Sequence, residues 1–584
     1  MRLRAASQMH PDPDEPQSTG VHAPALRTGS QYYDRAAALA SNHARCISAS
    51  AGWRRRAIAF AVGSLSVLAM APFFLWPVLF LTLPVLVWLI DSAPEDADRP
   101  IRAAALDGWW FAFGYFFFGL FWIGEAFLVE ADIFAWLIPF AITLMPAGLA
   151  LFMAAATAAA KAFWKPGLSR ILVLAIAIAA AEYLRGHIFT GFPWNVIGYA
   201  LAADEFSMQS AGILGIYGLT LLTVLICTAP LVILSSPAKP QRSVAATLLL
   251  AVLPLAATYA YGYSVLPGRP LATVPGVKIR IVQPSVPQHH KWAREKQGEI
   301  FNDHLALSQT SQAGRTGDLS GITHIVWPEA SMPFLPLATP RALTAIGELL
   351  PENTYLIAGA LRLEASRLGD EVRPSVKAKG RVFNSMIVFG PEGGATAVYD
   401  KLHLVPFGEY LPFTETLEWI GLEALTRIRG GFAAGPSPRP LLSVPGLPLM
   451  GPLICYEAIF PAAVVQGDVR PSLLINVTND GWFGNMTGPY QHLHQTRVRA
   501  VEEGLPLVRA ANNGVSALID PFGRMTGSIG LNVRGVIDTA VPAPLPATWY
   551  ARFGDMTFFA AILVFALAAW AMMAYPASLA DFEI

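Results

Sequence analysis

From residue 57 to residue 264 the chain is a succession of apolar runs parted by short polar loops, and one more run covers 556–577. A helix needs about 20 apolar residues to cross a bilayer. Hydrocarbon also leaves no partner for an open backbone amide, so runs of this kind are restricted to helices. Apolar residues make up 54% of the chain and charged residues 14%, the composition of a membrane protein. Pro72 and Pro77 interrupt the run 57–90, which predicts two helices joined by a tight hairpin. Further spans are expected at 105–128, 134–160, 170–185, 207–235 and 244–264, and about eight in all with 556–577. Four segments result: a disordered tail over 1–53, a seven-helix transmembrane domain over 54–264, an extramembrane domain over 265–550, and a last transmembrane helix with a short end over 551–584.

The tail is expected to be cytoplasmic and to hold no cleavable signal, because the first apolar run begins only after Arg54, Arg55 and Arg56. Basic loop residues set orientation. One set of alternate loops carries Arg54–Arg56, then Arg99 and Arg102, then Lys161, Lys165 and Arg170, then Lys239 and Arg242. The opposite set carries Arg185 and His187 beside Glu130, Asp132, Asp204 and Glu205. The domain over 265–550 should therefore lie across the membrane from the N-terminus. Lysine plus arginine and aspartate plus glutamate number 41 each, which leaves no basic excess for nucleic acid. Glu182 and Arg185 are spaced to pair on one helix face.

Past residue 277 the pattern changes to alternating strands and helices, the mark of an α/β domain. Strands are expected at 277–283, 322–327, 354–359, 383–389, 447–454, 473–477, 507–511 and 515–519. Helices are expected at 292–312, 341–350, 460–466 and 491–503, and Asn513-Gly514 reads as a hairpin turn. Residues 414–429 carry Leu417, Ile420, Leu425 and Ile428 at helical spacing, which predicts an amphipathic helix against the membrane or the domain core.

Of three cysteines, Cys46, Cys227 and Cys455, only the last falls in this domain, so no disulfide can close within it. Cys455 stands where a short apolar strand ends, the place where alternating folds gather reactive groups. A lone cysteine there is either a small buried hydrophobe or a nucleophile. Two other stretches favour the nucleophile. Ile325-Val-Trp-Pro-Glu329 sets a carboxylate past a strand that Pro328 interrupts. Asp400-Lys401-Leu-His-Leu-Val-Pro-Phe-Gly-Glu409 sets a lysine, a histidine and a second carboxylate in a loop. Glu329 can take the thiol proton, and Lys401 can favour the thiolate and the oxyanion it creates. His403 is a rival base. No Cys/His cluster has metal-ligand spacing, and no cofactor is expected.

Trp-Pro-Glu329, Asp-Lys401-x-x-Leu-x-Pro-Phe-Gly-Glu409 and Cys455-Tyr456-Glu457, in that order, resemble the Glu-Lys-Cys triad of the nitrilase superfamily. With the surrounding spans, the chain from 55 to 575 resembles bacterial apolipoprotein N-acyltransferases. Gly191-Phe-Pro-Trp194, Gln283–Trp292, Asn479–Gly484 and Asn512-Asn-Gly514 also look like that family. The resemblance implies an αββα sandwich on the periplasmic side of the inner membrane. It implies transfer of an acyl chain from a phospholipid to the α-amine of a diacylglyceryl-cysteine at an apolipoprotein's N-terminus. Glu329, Lys401 and Cys455 would be base, oxyanion-stabilising lysine and nucleophile, with Trp292, Glu409, Tyr456 and Glu457 in support. Two other classes compete. A membrane-tethered amidase would use the same triad but needs one anchor, and a transporter would place ionisable residues in mid-span.

Overall fold

The computed structural model describes residues 42–574 other than 94–99, 233–239, 267, 269–270, 313, 315, 318, 365–366, 369–370, 373–380 and 413–430. Most of the expected tail and the amphipathic stretch 414–429 lie outside the described residues.

Helices form wherever an apolar run was expected: Gly52–Ser66, Leu79–Asp91, Pro100–Gly119, Ile138–Ala162, Ser169–His187, Ala211–Thr228, Leu253–Val265 and Met556–Ala574. Residues 70–75 make the expected turn between the first two. The count of eight spans is not met on length and composition. Among the described residues four helices are long and apolar enough to cross a membrane, or five if Pro100–Gly119 and Phe121–Leu128, bent by 54°, form one span. Helix Gly52–Ser66 has only 15 residues and Leu79–Asp91 only 13. Helix Ser169–His187 carries Arg170, Glu182 and Arg185.

Small residues let the helices touch. A Cβ at Gly63 would lie 1.8 Å from the Phe111 carbonyl oxygen, and one at Gly114 would lie 2.2 Å from that of Phe60. Helix Pro100–Gly119 thus packs backbone to backbone on Gly52–Ser66. Helix Ala211–Thr228 runs buried through the bundle and breaks at Gly215, whose φ is 65°. The break frees the Ile216 amide, which donates to Glu502 Oε1 of the α/β domain at 2.9 Å. Only glycine fits at 215, since a Cβ would stand 2.2 Å from Tyr550 Cε2.

The α/β domain has strands β1 (Thr273–Gln283), β2 (His324–Met332), β3 (Tyr355–Leu363), β4 (Arg367–Leu368), β5 (Glu371–Val372), β6 (Val382–Phe389), β7 (Ala395–Asp400), β8 (Met450–Ile454), β9 (Leu473–Thr478), β10 (Leu507–Ala511), β11 (Ser516–Ile519), β12 (Met525–Ile529) and β13 (Gly535–Pro542). They build a six-stranded sheet, β13-β1-β2-β3-β6-β7, and a five-stranded sheet, β12-β11-β10-β9-β8, with β4 and β5 paired apart. Alternate side chains of each strand face opposite ways. One set, including Ile279, Ile281, Val326 and Ile357, meets Ile454, Ile475, Val477 and Val508 of the other sheet. The outer face of the first sheet buries Ile325, Trp327 and Leu356 under helices Gln297–Ser308 and Pro340–Leu349. The outer face of the second buries Leu453, Leu474 and Leu507 under helix Gly488–Glu503. Four layers, αββα, result. Each such aliphatic side chain contributes about 1.5–3 kcal/mol by leaving water.

Three expectations need correction. The strand 322–327 continues to Met332 after a bulge, and residues 460–466 form no helix. The chain after Cys455 makes a tight 3₁₀ turn over Cys455–Ile459 instead, and Pro461 and the positive φ of Ala462 prevent its extension. Strands β4, β5, β7, β12 and β13 were not anticipated.

The sandwich and the helical domain share one apolar cluster. Tyr456, Ile459, Phe460, Val498 and Val501 of the sandwich enter the same core as Trp194, Tyr217 and Phe116.

Candidate active site

Cys455 follows β8 with a positive φ of 50°, a conformation that turns the chain sharply out of the strand. The strain is held from behind. The Cys455 carbonyl oxygen accepts from Asn476 Nδ2 at 3.3 Å and faces His492 Nε2 at 3.2 Å. His492 Nδ1 in turn meets Asp480 Oδ1 at 2.9 Å, and Arg509 pairs with Asp480 at 2.7 Å. All of these groups are buried, and Arg509 with His492 holds the Asp480 carboxyl well below its usual range against the cost of burial.

Glu329 reaches the site through the bulge in β2. Trp327 pairs with Ala358 and Met332 with Ala360, so Pro328 to Ser331 all stand opposite Gly359. A Cβ at Gly359 would be 2.5 Å from Glu329 Cα and 2.6 Å from the Pro328 carbonyl oxygen, so the bulge requires glycine there. Pro328 does end the regular ladder, as its missing N–H demands.

Lys401 follows β7 and is almost wholly buried. Asp400 faces outward to Arg362 and Ser385, while Lys401 Nζ turns in to Glu409 Oε1 at 2.9 Å and Glu329 Oε1 at 3.8 Å. Asn384 Nδ2 donates to both carboxylates, at 2.8 Å each. Glu409 Oε2 accepts the Val405 amide at 2.8 Å, while Glu329 Oε2 is buried with no hydrogen-bond partner. Burial pushes the Glu329 carboxyl up, Lys401 pulls it back and Glu409 raises it again. Burial works against the Lys401 charge, but Glu409 and Glu329 outweigh it and hold the ammonium above its ordinary value. Burial likewise raises the Cys455 thiol, Glu329 raises it further, and Lys401 lowers it. Cys455 is thus a buried thiol that feels both a carboxylate of raised basicity and a fixed cation, an arrangement suited to removal of its proton by a base.

Glu457 joins two loops. Its Oε1 accepts from Tyr399 Oη at 2.6 Å, the Leu402 amide at 3.0 Å and the His403 amide at 3.1 Å, and Oε2 accepts the Ile454 amide at 2.8 Å. Burial alone would raise its carboxyl, but Arg439, Tyr399 and the Ile454 amide hold it below the ordinary value. Tyr456 donates to the Gly191 carbonyl oxygen at 3.0 Å. His403 stacks on Phe460 at 3.9 Å and meets Tyr456 edge-on. Trp292 follows the buried Lys291 and is 39% exposed.

The structure adds residues that local pattern did not single out. Asn384 bridges the carboxylates, Arg439 and Tyr399 hold Glu457, and the Asn476–His492–Asp480–Arg509 chain lies behind Cys455. Lys291 is 2% exposed and donates to the Glu329 carbonyl oxygen at 2.9 Å. Three distant motifs knit the floor. Asn512 Nδ2 donates to the Val286 carbonyl oxygen at 2.9 Å and to Asn479 Oδ1 at 3.1 Å, and Asn479 donates to Gln288 Oε1 at 2.8 Å. Two of these contacts join residues more than 190 apart in number, and none leaves a periodic signal. Among the described residues, no group of three or more His, Cys, Asp or Glu side chains is placed to hold a metal ion.

A sandwich of this layering with a thiol, a carboxylate and a lysine at its strand ends defines a carbon-nitrogen hydrolase domain, and residues 278–550 match that family model. Residues 62–229 match the model described as apolipoprotein N-acyltransferase N-terminal domain. The chain belongs to the apolipoprotein N-acyltransferase family. A relative of that name from Rhodopseudomonas palustris is 46% identical across 88% of this chain and 94% of its own length. One from Bradyrhizobium diazoefficiens is 47% identical over the same shares, and one from Brucella melitensis is 42% identical across 85% of this chain and 92% of its own length.

Proposed function

We propose that this chain moves an acyl chain from a phospholipid, through a thioester on Cys455, to the α-amine of the N-terminal diacylglyceryl-cysteine of an apolipoprotein. The observation that carries the reading is a buried thiol facing both Glu329 and Lys401, in a domain whose core continues into apolar helices. Glu329 takes the Cys455 proton, and the thiolate adds to the ester carbonyl carbon. The oxyanion forms beside Lys401. On collapse the ester C–O bond breaks, and the leaving lysophospholipid oxygen receives the proton from Glu329. The amine then adds to the thioester, gives a proton to Glu329, and the C–S bond breaks as Cys455 recovers a proton. Both substrates carry acyl chains, so one thiol serves them in turn rather than together.

The site lies on the periplasmic side of a bacterial inner membrane in this proposal. The loop arginines and lysines support that orientation. It requires an odd number of crossings before the sandwich, which is met when helices Gly52–Ser66, Leu79–Asp91 and Ser169–His187 cross together with Ala131–Ala162, Ala211–Thr228, Val244–Val265 and the bent pair of Pro100–Gly119 and Phe121–Leu128.

Incubating the purified chain with phospholipid alone should raise its mass by one acyl group on the peptide holding Cys455. C455S should form no adduct and transfer no acyl group. Lysophospholipid release only when acceptor is present, with no adduct, would replace the two-step cycle by direct transfer.

A further inference from the structure

Lys291 ends the short helix Gln288–Lys291, whose Gln288 is tied to Asn479 and through it to Asn512. Its ammonium is fully enclosed and donates to the backbone of Glu329, the residue taken above as the base. Glu329 and Cys455 lie near enough to act on its charge, and it acts in turn on His304 of helix Gln297–Ser308. A buried cation with a single backbone acceptor is costly unless nearby negative charge compensates it. The cage around the thiol supplies that charge. Glu329 and Glu409 bring two carboxylates, and Lys401 neutralises only one. Glu457 is matched separately by Arg439.

We infer that Lys291 is a positioning residue for the acyl transfer: its ammonium, fixed on the backbone of Glu329, supplies the second positive charge of the cage and stabilises the negative charge that passes between Cys455 and Glu329. When the proton moves from Cys455 Sγ to a Glu329 oxygen, the negative charge moves the other way, and Lys291 faces both ends of that path. The total stays balanced through thiol, thiolate and thioester. The inference rests on Glu329 and Cys455 being base and nucleophile.

The charge has a limit in pH. Burial lowers the Lys291 ammonium to about 8, although Glu329 and Cys455 oppose the shift. Burial, helped by Lys291 and opposed by the hydrogen bond to the Ile300 carbonyl, lowers His304 to about 4, so it is neutral from pH 6 upward. Lys401 stays charged well above that range. Activity should therefore fall as pH rises through about 8, because the cation is present below that value and lost above it.

The test uses the full chain with phospholipid alone, reading acyl-adduct formation from pH 6 to 9.5, and in parallel alkylation of Cys455 by iodoacetamide. A nearby opposite charge shifts a carboxyl or thiol by about 1–3 pH units, so K291M should slow both reactions at pH 7 by about tenfold or more and lack the alkaline fall. K291R should restore most of the rate and carry the alkaline fall above pH 9. K291M within about twofold of the parent, or K291R losing as much as K291M with the fall unmoved near pH 8, would overturn the inference. If K291M does not fold, the position of the alkaline fall in K291R decides alone. Alkylation needs no acyl donor. A failed adduct assay with intact alkylation in the parent therefore counts against the phospholipid, and the K291M alkylation rate still decides the role of Lys291.

Discussion

The hydroxyl of Tyr456 donates to the backbone carbonyl oxygen of Gly191 at 3.0 Å, so the residue after Cys455 is bonded to the helical domain. Tyr456→Phe removes that bond and leaves a buried carbonyl without its donor, while the ring keeps its edge-on contact with Phe460 at 4.8 Å. Loss of one buried partner costs about 1–3 kcal/mol. The variant should unfold at lower temperature and transfer acyl groups several-fold more slowly. A thermal melt and transfer rate both equal to the parent's would show that the bond does not brace the site.

Asn384 favours the ionised form of Glu329 by donating to its Oε1. In the proposed role of base Glu329 must be ionised, so activity should fall as pH drops through its pKa, which already lies above the ordinary carboxyl value. Asn384→Ala should raise that pKa further and move the acid limb of kcat/KM to higher pH. A shift of about one unit means roughly tenfold less activity on the acid side and little change near pH 8. An equal loss at every pH would make Asn384 a packing residue only.

Like Asp480 behind Cys455, Glu457 should be an acid-sensitive stabiliser of the site. Its folded pKa is depressed, so its contribution is complete above the unfolded carboxyl value, about 4.3, and is lost as pH falls through the folded value. Glu457→Ala leaves Arg439 buried and unpaired, a change that costs about 3–5 kcal/mol in comparable pairs. Denaturation midpoints should show that gap at pH 7 and a narrower one toward pH 3. Glu457→Gln should fall between, because its amide oxygen can still accept from Leu402 and His403.

The apolar runs, the alternation past residue 277 and the three motif stretches were legible because each is a local pattern. Helix length was not: Pro72, Pro77 and the end of Leu79–Asp91 cut a continuous apolar stretch into helices too short to cross alone. The stretch 460–466 has helical composition, yet the turn at Cys455–Ile459 and Pro461 overrule it. Strand β12 was missed because most of it is exposed and it contains Gly527, so it shows no apolar alternation. At the site, Glu329, Lys401, Glu409, Cys455 and Glu457 meet through direct contacts or mutual electrostatic effect. Lys291 and Asn384 went unassigned because what distinguishes them is burial beside a carboxylate far away in the chain.

The break at Gly215 leaves helix Ala211–Thr228 unable to complete its own hydrogen bonding, and the acceptor it needs lies 286 residues further along the chain, on Glu502. During synthesis that amide has no such partner until the sandwich has been made and has folded. The middle of the bundle therefore settles last, although its sequence emerges early. A helical half expressed alone would expose an unmet amide within its own interior. The soluble half is a structural part of its own anchor.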